Sequence, residues 1–217
     1  MITSDVVQTL LRVLHIAGGL LAFAVAPLAL LAVKGSRRHI VAGRCFALGM
    51  GIAAIAGIAL TLALARYDVG LPLLGILTLF FTGTGYLAPR IGRGSRRTYR
   101  WDRALTALGL LASLGLAVDG LRHATPTAPV TADAMFGALG VWIAVRHSLW
   151  RGPADPSRWQ IEHFTGLLAA YSVAWVFILA QFVQALPHTA HVIVPILGLA
   201  GILWAQRRFR VMAPAGT

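Results

Sequence analysis

The chain has 217 residues, 58% of them hydrophobic, with a mean hydropathy of +0.75, a balance that excludes an ordinary soluble domain and fits a polytopic membrane protein. Its formal charge is +12, yet the 18 arginines and the single lysine are scattered between apolar stretches instead of forming the basic face of a nucleic-acid binder. A lone cysteine, Cys45, excludes an intramolecular disulfide and a cysteine-based metal site.

The opening MITSDVV lacks a basic n-region, so the first apolar stretch reads as a retained helix rather than a cleaved leader. That stretch, residues 13–33, carries no formal charge; about 21 residues at about 1.5 Å each cross a hydrocarbon core of roughly 30 Å. His15, Gly19, Ala22, Ala26 and Ala29 recur at steps of three and four and predict a small face that meets other helices. Pro27 removes a backbone donor and crowds the carbonyl of Phe23, which predicts a kink. A basic turn follows, with Lys34, Arg37, Arg38 and Arg44.

The second span is predicted over 45–65, with Gly43, Ala47, Gly51 and Ala54 as its small face. The third covers 69–88, with Thr78, Thr82 and Gly85 on one side, and ends at Pro89. After the most basic segment, RIGRGSRRTYRWDR, a fourth span over 104–121 lines up Thr106, Gly109, Ser113 and Ala117 and leaves Asp119 at its end. HATPTAPVTAD is turn-rich and does not span. In the fifth span, 133–150, Asp133, Gly137, Gly140, Ala144 and His147 form an inward stripe; in the sixth, 164–186, His163, Gly166, Ala170, Ala174, Phe177 and Gln181 share a face. The seventh, 188–206, contains Pro195 and Gly198 and ends in QRRFR.

The predicted fold class is therefore all-α: one integral membrane domain over residues 1–217, a bundle of seven helices. Lys and Arg number 16 in the loops on one side, against Arg12, Arg66 and Arg122 on the other. The positive-inside rule then puts the N-terminus outside and the C-terminus in the cytoplasm. Trp101, Trp150, Trp159 and Trp204 fall near the inner span ends, where amphipathic rings favour the headgroup level. The basic runs read as topology signals and as contacts to anionic headgroups of the bilayer, with no catalytic role.

No Walker loop, nucleotide fingerprint, nucleophile elbow or HExxH spacing occurs, and no loop is long enough to fold a catalytic domain. No charged residue lies near the middle of a span, which speaks against an ion-coupled transporter. Uncoupled movement of a neutral or lipidic molecule stays open, with Pro27 and Pro195 interrupting their helices.

On this topology His15, His123, His188 and His191 sit toward the outside, and His39, His147 and His163 toward the cytoplasm. His15 and His39 are 24 residues apart, roughly 36 Å along a helix, and belong to opposite faces. The plain reading of each is an interfacial side chain bonded to a neighbouring helix. Stripes of Gly and Ala beside His15, His147 and His163 either pack helices closely or leave a flat slot beside an imidazole, suited to a porphyrin or quinone ring.

Residues 15–25 (HIAGGLLAFAV) also align with 163–173 (HFTGLLAAYSV) at five identities in eleven, and the next histidine follows after 24 and 25 residues. An inverted repeat of this kind would pair His39 with His163 inside and His15 with His188 or His191 outside; composition alone yields two or three such matches.

The sharper expectation is a redox cofactor, b-type haem first, for membrane electron transfer. Its ligands would be His15 with His191 or His188 on the outer side, or a pair from His39, His147 and His163 on the inner side; Arg12 and Arg44 lie at levels suited to propionates. A simple metal ion held among His15, His39, His163 and His191, or a quinone, are the alternatives within this class. Ligation needs neutral imidazole, so binding should weaken below about pH 6. The nonredox expectation is a carrier of a neutral or lipidic molecule, or an accessory subunit of a membrane complex, with the stripes serving only packing.

HIAGGLLAFAVAPLAL followed by KGSRRHIVAGR resembles a family of bacterial multi-pass integral membrane proteins known only as a domain of unknown function. Its members open with a His-bearing helix containing Gly and Pro, then a basic turn with an H-R-x-x-G-R-like motif. Here that motif reads His39, Ile40, Val41, Ala42, Gly43, Arg44, and departs at the second position. The match is best over residues 10–65; it implies a helix bundle in a bacterial inner membrane and brings no activity with it.

Overall fold

A computed structural model describes residues 2–64, 69–126, 131–150, 152–154, 158–182 and 190–212. Helix starts follow from local chemistry repeated in the sequence. Gly35–Ser36–Arg37–Arg38 and Gly94–Ser95–Arg96–Arg97 are the same four residues, and both build the same corner. Each glycine takes the left-handed backbone (φ 81° and 92°) that a side chain would strain. Each serine then caps a helix: Ser36 Oγ accepts the His39 N–H at 3.2 Å, and Ser95 Oγ accepts the Thr98 N–H at 3.4 Å.

These corners and their counterparts delimit α1 (Ile2–Leu31), α2 (Arg37–Ala63), α3 (Gly70–Gly92), α4 (Arg96–Arg122), α5 (Ala132–Ser148), a short 3-10 turn (Gly152–Ala154), α6 (Trp159–Phe182) and α7 (Ala190–Met212). Among the described residues there are seven α-helices and no strand. Four are long and apolar enough to cross a bilayer, Asp5–Leu31, Arg37–Ala63, Gly70–Gly92 and Arg96–Arg122, while α7 contains the shorter apolar stretch Ile193–Trp204. The protein is an all-α bundle of membrane helices. α1, α2, α4 and α6 begin one to three turns before their hydropathic spans, because capped backbone continues past the hydrocarbon and carries Arg, His and Glu in helical form.

Consecutive helices pack against each other from α1 to α5, and α3 also packs on α6, which in turn meets α7. α3 thereby becomes the central post, with Leu77, Phe80 and Phe81 fully buried. Glycines set the closest crossings. A Cβ on Gly49 would stand 2.7 Å from the Gly18 carbonyl oxygen, and one on Gly166 would stand 2.6 Å from the Phe81 carbonyl, so α1–α2 and α3–α6 meet backbone to backbone.

The predicted stripes on α3, α5 and α6 are the ones used: Gly85 faces α6, and Gly137 and Gly140 face Ala117 and Ser113 of α4. On α1 the predicted face is used at His15, Ala22 and Ala26, but Gly18 makes the closest crossing and Gly19 has open space. On α2 Ala54 is buried, whereas Gly43 and Gly51 have open space where Gly49, Ala53 and Gly57 pack. Helix α1 runs unbroken through Pro27. Alternation of neighbours gathers the 32–36 and 93–95 turns, the end of α5 and the start of α6 at one end of the bundle, here called the basic end.

Candidate functional site

Two polar assemblies lie at the basic end. The first is closed. His147, in the last turn of α5, is 2% exposed and sits between two carboxylates. Its Nδ1 donates to Glu162 Oε2 at 2.8 Å and its Nε2 donates to Asp102 Oδ2 at 2.8 Å. Carboxylates only accept, so both ring nitrogens carry protons and the imidazole is a cation. Arg146 Nη2 donates to Glu162 Oε2 at 3.0 Å, and Arg158 Nε to Glu162 Oε1 at 2.8 Å. Arg158 also donates to the Arg146 carbonyl, and Arg103 to the Ser148 carbonyl, so the assembly caps the α5 C-terminus while tying α4, α5 and α6 together. Trp150, 1% exposed, lies edge-on to the His147 ring at 5.5 Å.

The second assembly is open. A cavity of about 390 Å³ lies among α2, α3 and α6, walled by His39, Gly43, Tyr86, Trp159, His163 and Phe164. His39 and His163 face each other across it with ring centroids 6.2 Å apart and planes at 72°. His39 Nδ1 donates to the Ala29 carbonyl at 2.9 Å, and His163 Nδ1 donates to the Gly85 carbonyl at 2.8 Å. The carbonyls hold the hydrogen of each ring on Nδ1, so in the neutral imidazole the lone pair is on Nε2. Lys34, Arg44, Arg90 and Arg93 stand at the mouth, and among the described residues no acidic one lines it. Lys34 Nζ closes the end of α1 through the Leu30 carbonyl at 2.7 Å, and partial burial holds its ammonium below the usual lysine range. An apolar chamber of about 60 Å³, with Ala26, Ala29, Phe46, Leu168 and Tyr171, adjoins this cavity and shares Gly43, His163, Phe164 and Leu167 with it.

No family model matches the chain, and no curated protein or solved structure is detectably similar to it.

The structure thus brings together two of the sequence-derived candidates, His39 and His163, with Arg44 at the same mouth. His147 stands apart, since a ring with both nitrogens engaged by carboxylates has no lone pair to give a metal. His15 lies near the middle of α1, away from the basic end, where Nδ1 donates to the Ala53 carbonyl at 2.7 Å and the ring covers Gly57. Arg12, one turn before it, is exposed. His188 and the side chain of His191 lie outside the described residues, as do the side chains of Phe177 and Gln181. Among the described residues no group of three or more His, Cys, Asp or Glu is arranged to hold a metal ion.

Sequence reasoning missed Asp102 and Glu162 because both precede their hydropathic spans. A signal existed: Glu162 is the chain's single glutamate, four residues after Arg158, and Asp102 opens the buried stripe Thr106, Gly109, Ser113.

Proposed function

We propose that this is a redox protein of the bacterial inner membrane that holds a b-type haem between His39 and His163, for electron transfer within the membrane. The imidazole pair carries the reading. The 6.2 Å between the ring centres would let both imidazoles reach one iron through metal–nitrogen bonds of about 2 Å. The backbone carbonyls of Ala29 and Gly85 orient both rings and hold the proton on Nδ1, as is typical of ligating histidines, whose other ring N–H donates to a carbonyl or carboxylate. Gly43, one turn beyond His39, leaves open space beside the imidazole where a flat ring needs it. Haem would supply one-electron chemistry; the chain's part is to ligate, orient and keep the apolar chamber dry.

With the 16 to 3 distribution of basic residues, the basic end is cytoplasmic, the N-terminus is outside and the mouth lies at the headgroup level of the inner leaflet. The H-x-x-x-G-R turn that supplies His39, Gly43 and Arg44 also supports kinship with the bacterial membrane family it resembles.

The test is the visible spectrum of the detergent-purified protein, oxidised and dithionite-reduced, after expression with ample haem. A Soret band that is lost in His39→Ala and His163→Ala is expected. A preparation that stays colourless after haem addition overturns the reading. The apolar part of the cavity wall, with Ile40, Phe164 and Leu167, favours one second reading, a carrier of a lipidic molecule; it is supported if the colourless protein retains a co-purifying lipid that Gly43→Leu expels.

A further inference from the structure

The mouth of the cavity says more about the ligand than its histidines do. Arg44 comes from α2, Arg90 from the last turn of α3, and Arg93 from the residue after it, yet all three line the same opening. Basic residues that only mark topology point into water or headgroups in all directions. These three converge, and among the described residues none pairs with a carboxylate. Elsewhere at the same end the chain does neutralise its arginines: Arg146 and Arg158 both hold Glu162. Arg90 is held in place, its guanidinium 5.1 Å above the Tyr86 ring. The chamber that adjoins the cavity at Gly43, His163 and Phe164 is apolar. The space therefore has a polarity, with cations at the mouth and hydrocarbon beside the imidazoles.

We infer that Arg44, Arg90 and Arg93 bind the carboxylate edge of the ligand, so that the cavity selects a flat, apolar, dianionic molecule and seats it with both carboxylates toward the basic end. Guanidinium groups suit this task because each presents a planar fork of donors matched to a carboxylate. The inference rests on the reading of a macrocycle in this cavity, but it names different residues and a different chemistry from iron ligation.

The experiment uses metal-free protoporphyrin IX and its dimethyl ester, added to the full-length protein in detergent and followed by porphyrin fluorescence. Neither probe has iron, so the readout does not depend on His39 or His163 as ligands. The diacid is expected to bind at least about tenfold tighter than the diester, the size of one or two charge-assisted hydrogen bonds. Arg44→Gln/Arg90→Gln/Arg93→Gln should bring the diacid down to the diester and leave the diester unchanged. The single variants Arg90→Gln and Arg93→Gln, both at exposed positions, should each remove part of the preference and serve if the triple variant fails to fold. Equal binding of diacid and diester, no binding of either, or a preference that survives in the variants overturns the inference. A retained preference for the diacid in a protein that never ligates added haem supports the inference and overturns the haem reading alone.

Discussion

The two polar assemblies at the basic end are built from the same residue types and differ in how completely the chain satisfies them. Around His147 every charged group has a protein partner, although Asp102 Oδ1 and Arg146 Nε make no hydrogen bond: two carboxylates, two guanidiniums and an imidazolium lock three helices. Around His39 and His163 the Nδ1 side of each ring is bonded to a carbonyl, and both rings and three guanidiniums line a cavity with no carboxylate partner among the described residues. The lesson is about what makes a histidine a site. Burial is greater at His147, but a ring satisfied on both sides is architecture; a ring fixed on one side and open on the other is equipped to bind.

The comparison can be broken most forcefully at Glu162. Glu162→Gln removes the one group that faces His147, Arg146 and Arg158 together, and stranding buried charge in this way costs about 3–5 kcal/mol. A large drop in thermal midpoint in detergent is expected; a wild-type melt would show that the assembly contributes little. Next in size is Gly49→Ala, whose methyl would meet the Gly18 carbonyl oxygen at 2.7 Å and force α1 from α2, at about 1–3 kcal/mol. It should lower the melt without touching either assembly.

His163→Ala sharpens the contrast. It deletes a hydrogen bond to the Gly85 carbonyl worth about 1 kcal/mol, so the melt should shift only slightly while ligand binding disappears. Strong destabilisation with binding intact would reverse the roles assigned to the two assemblies. The smallest effect is expected at His123, whose side chain is 73% exposed: His123→Ala should stay within about 0.5 kcal/mol by the same melt.

Much of the bundle was legible because lipid imposes simple rules on a chain. Seven apolar stretches gave seven helices, since a spanning backbone has to bond to itself. The small-residue stripes of α3, α5 and α6 were readable for a related reason: helices without a hydrophobic drive to associate meet where side chains are smallest. α1 and α2 were harder, because a helix with glycine at both 18 and 19 offers two faces one residue apart and only the partner selects between them.

The His39–His163 pairing was reachable by two routes: the topology put His39, His147 and His163 at one level, and the alignment of 15–25 with 163–173 paired His39 with His163, its matched rings Phe23 and Tyr171 lying 5.9 Å apart. The His147 assembly was not legible, since hydropathy windows end where Asp102 and Glu162 begin. A carboxylate outside an apolar window reads as solvated until the fold shows helices crossing over it.

The α1–α2 hairpin has a consequence for how the protein is made. Its two helices are neighbours in sequence, joined by a tight glycine–serine corner and closed by Gly18 against Gly49, so the pair has all its own contacts as soon as it leaves the insertion machinery. His39 and Arg44 are then in place, but their counterpart His163 lies more than half a chain later, on α6. The cavity does not exist until that sixth helix has been inserted and has docked on α3. Ligand loading is thus tied to the completion of biogenesis, and a chain arrested before α6 would expose half a binding site to the bilayer.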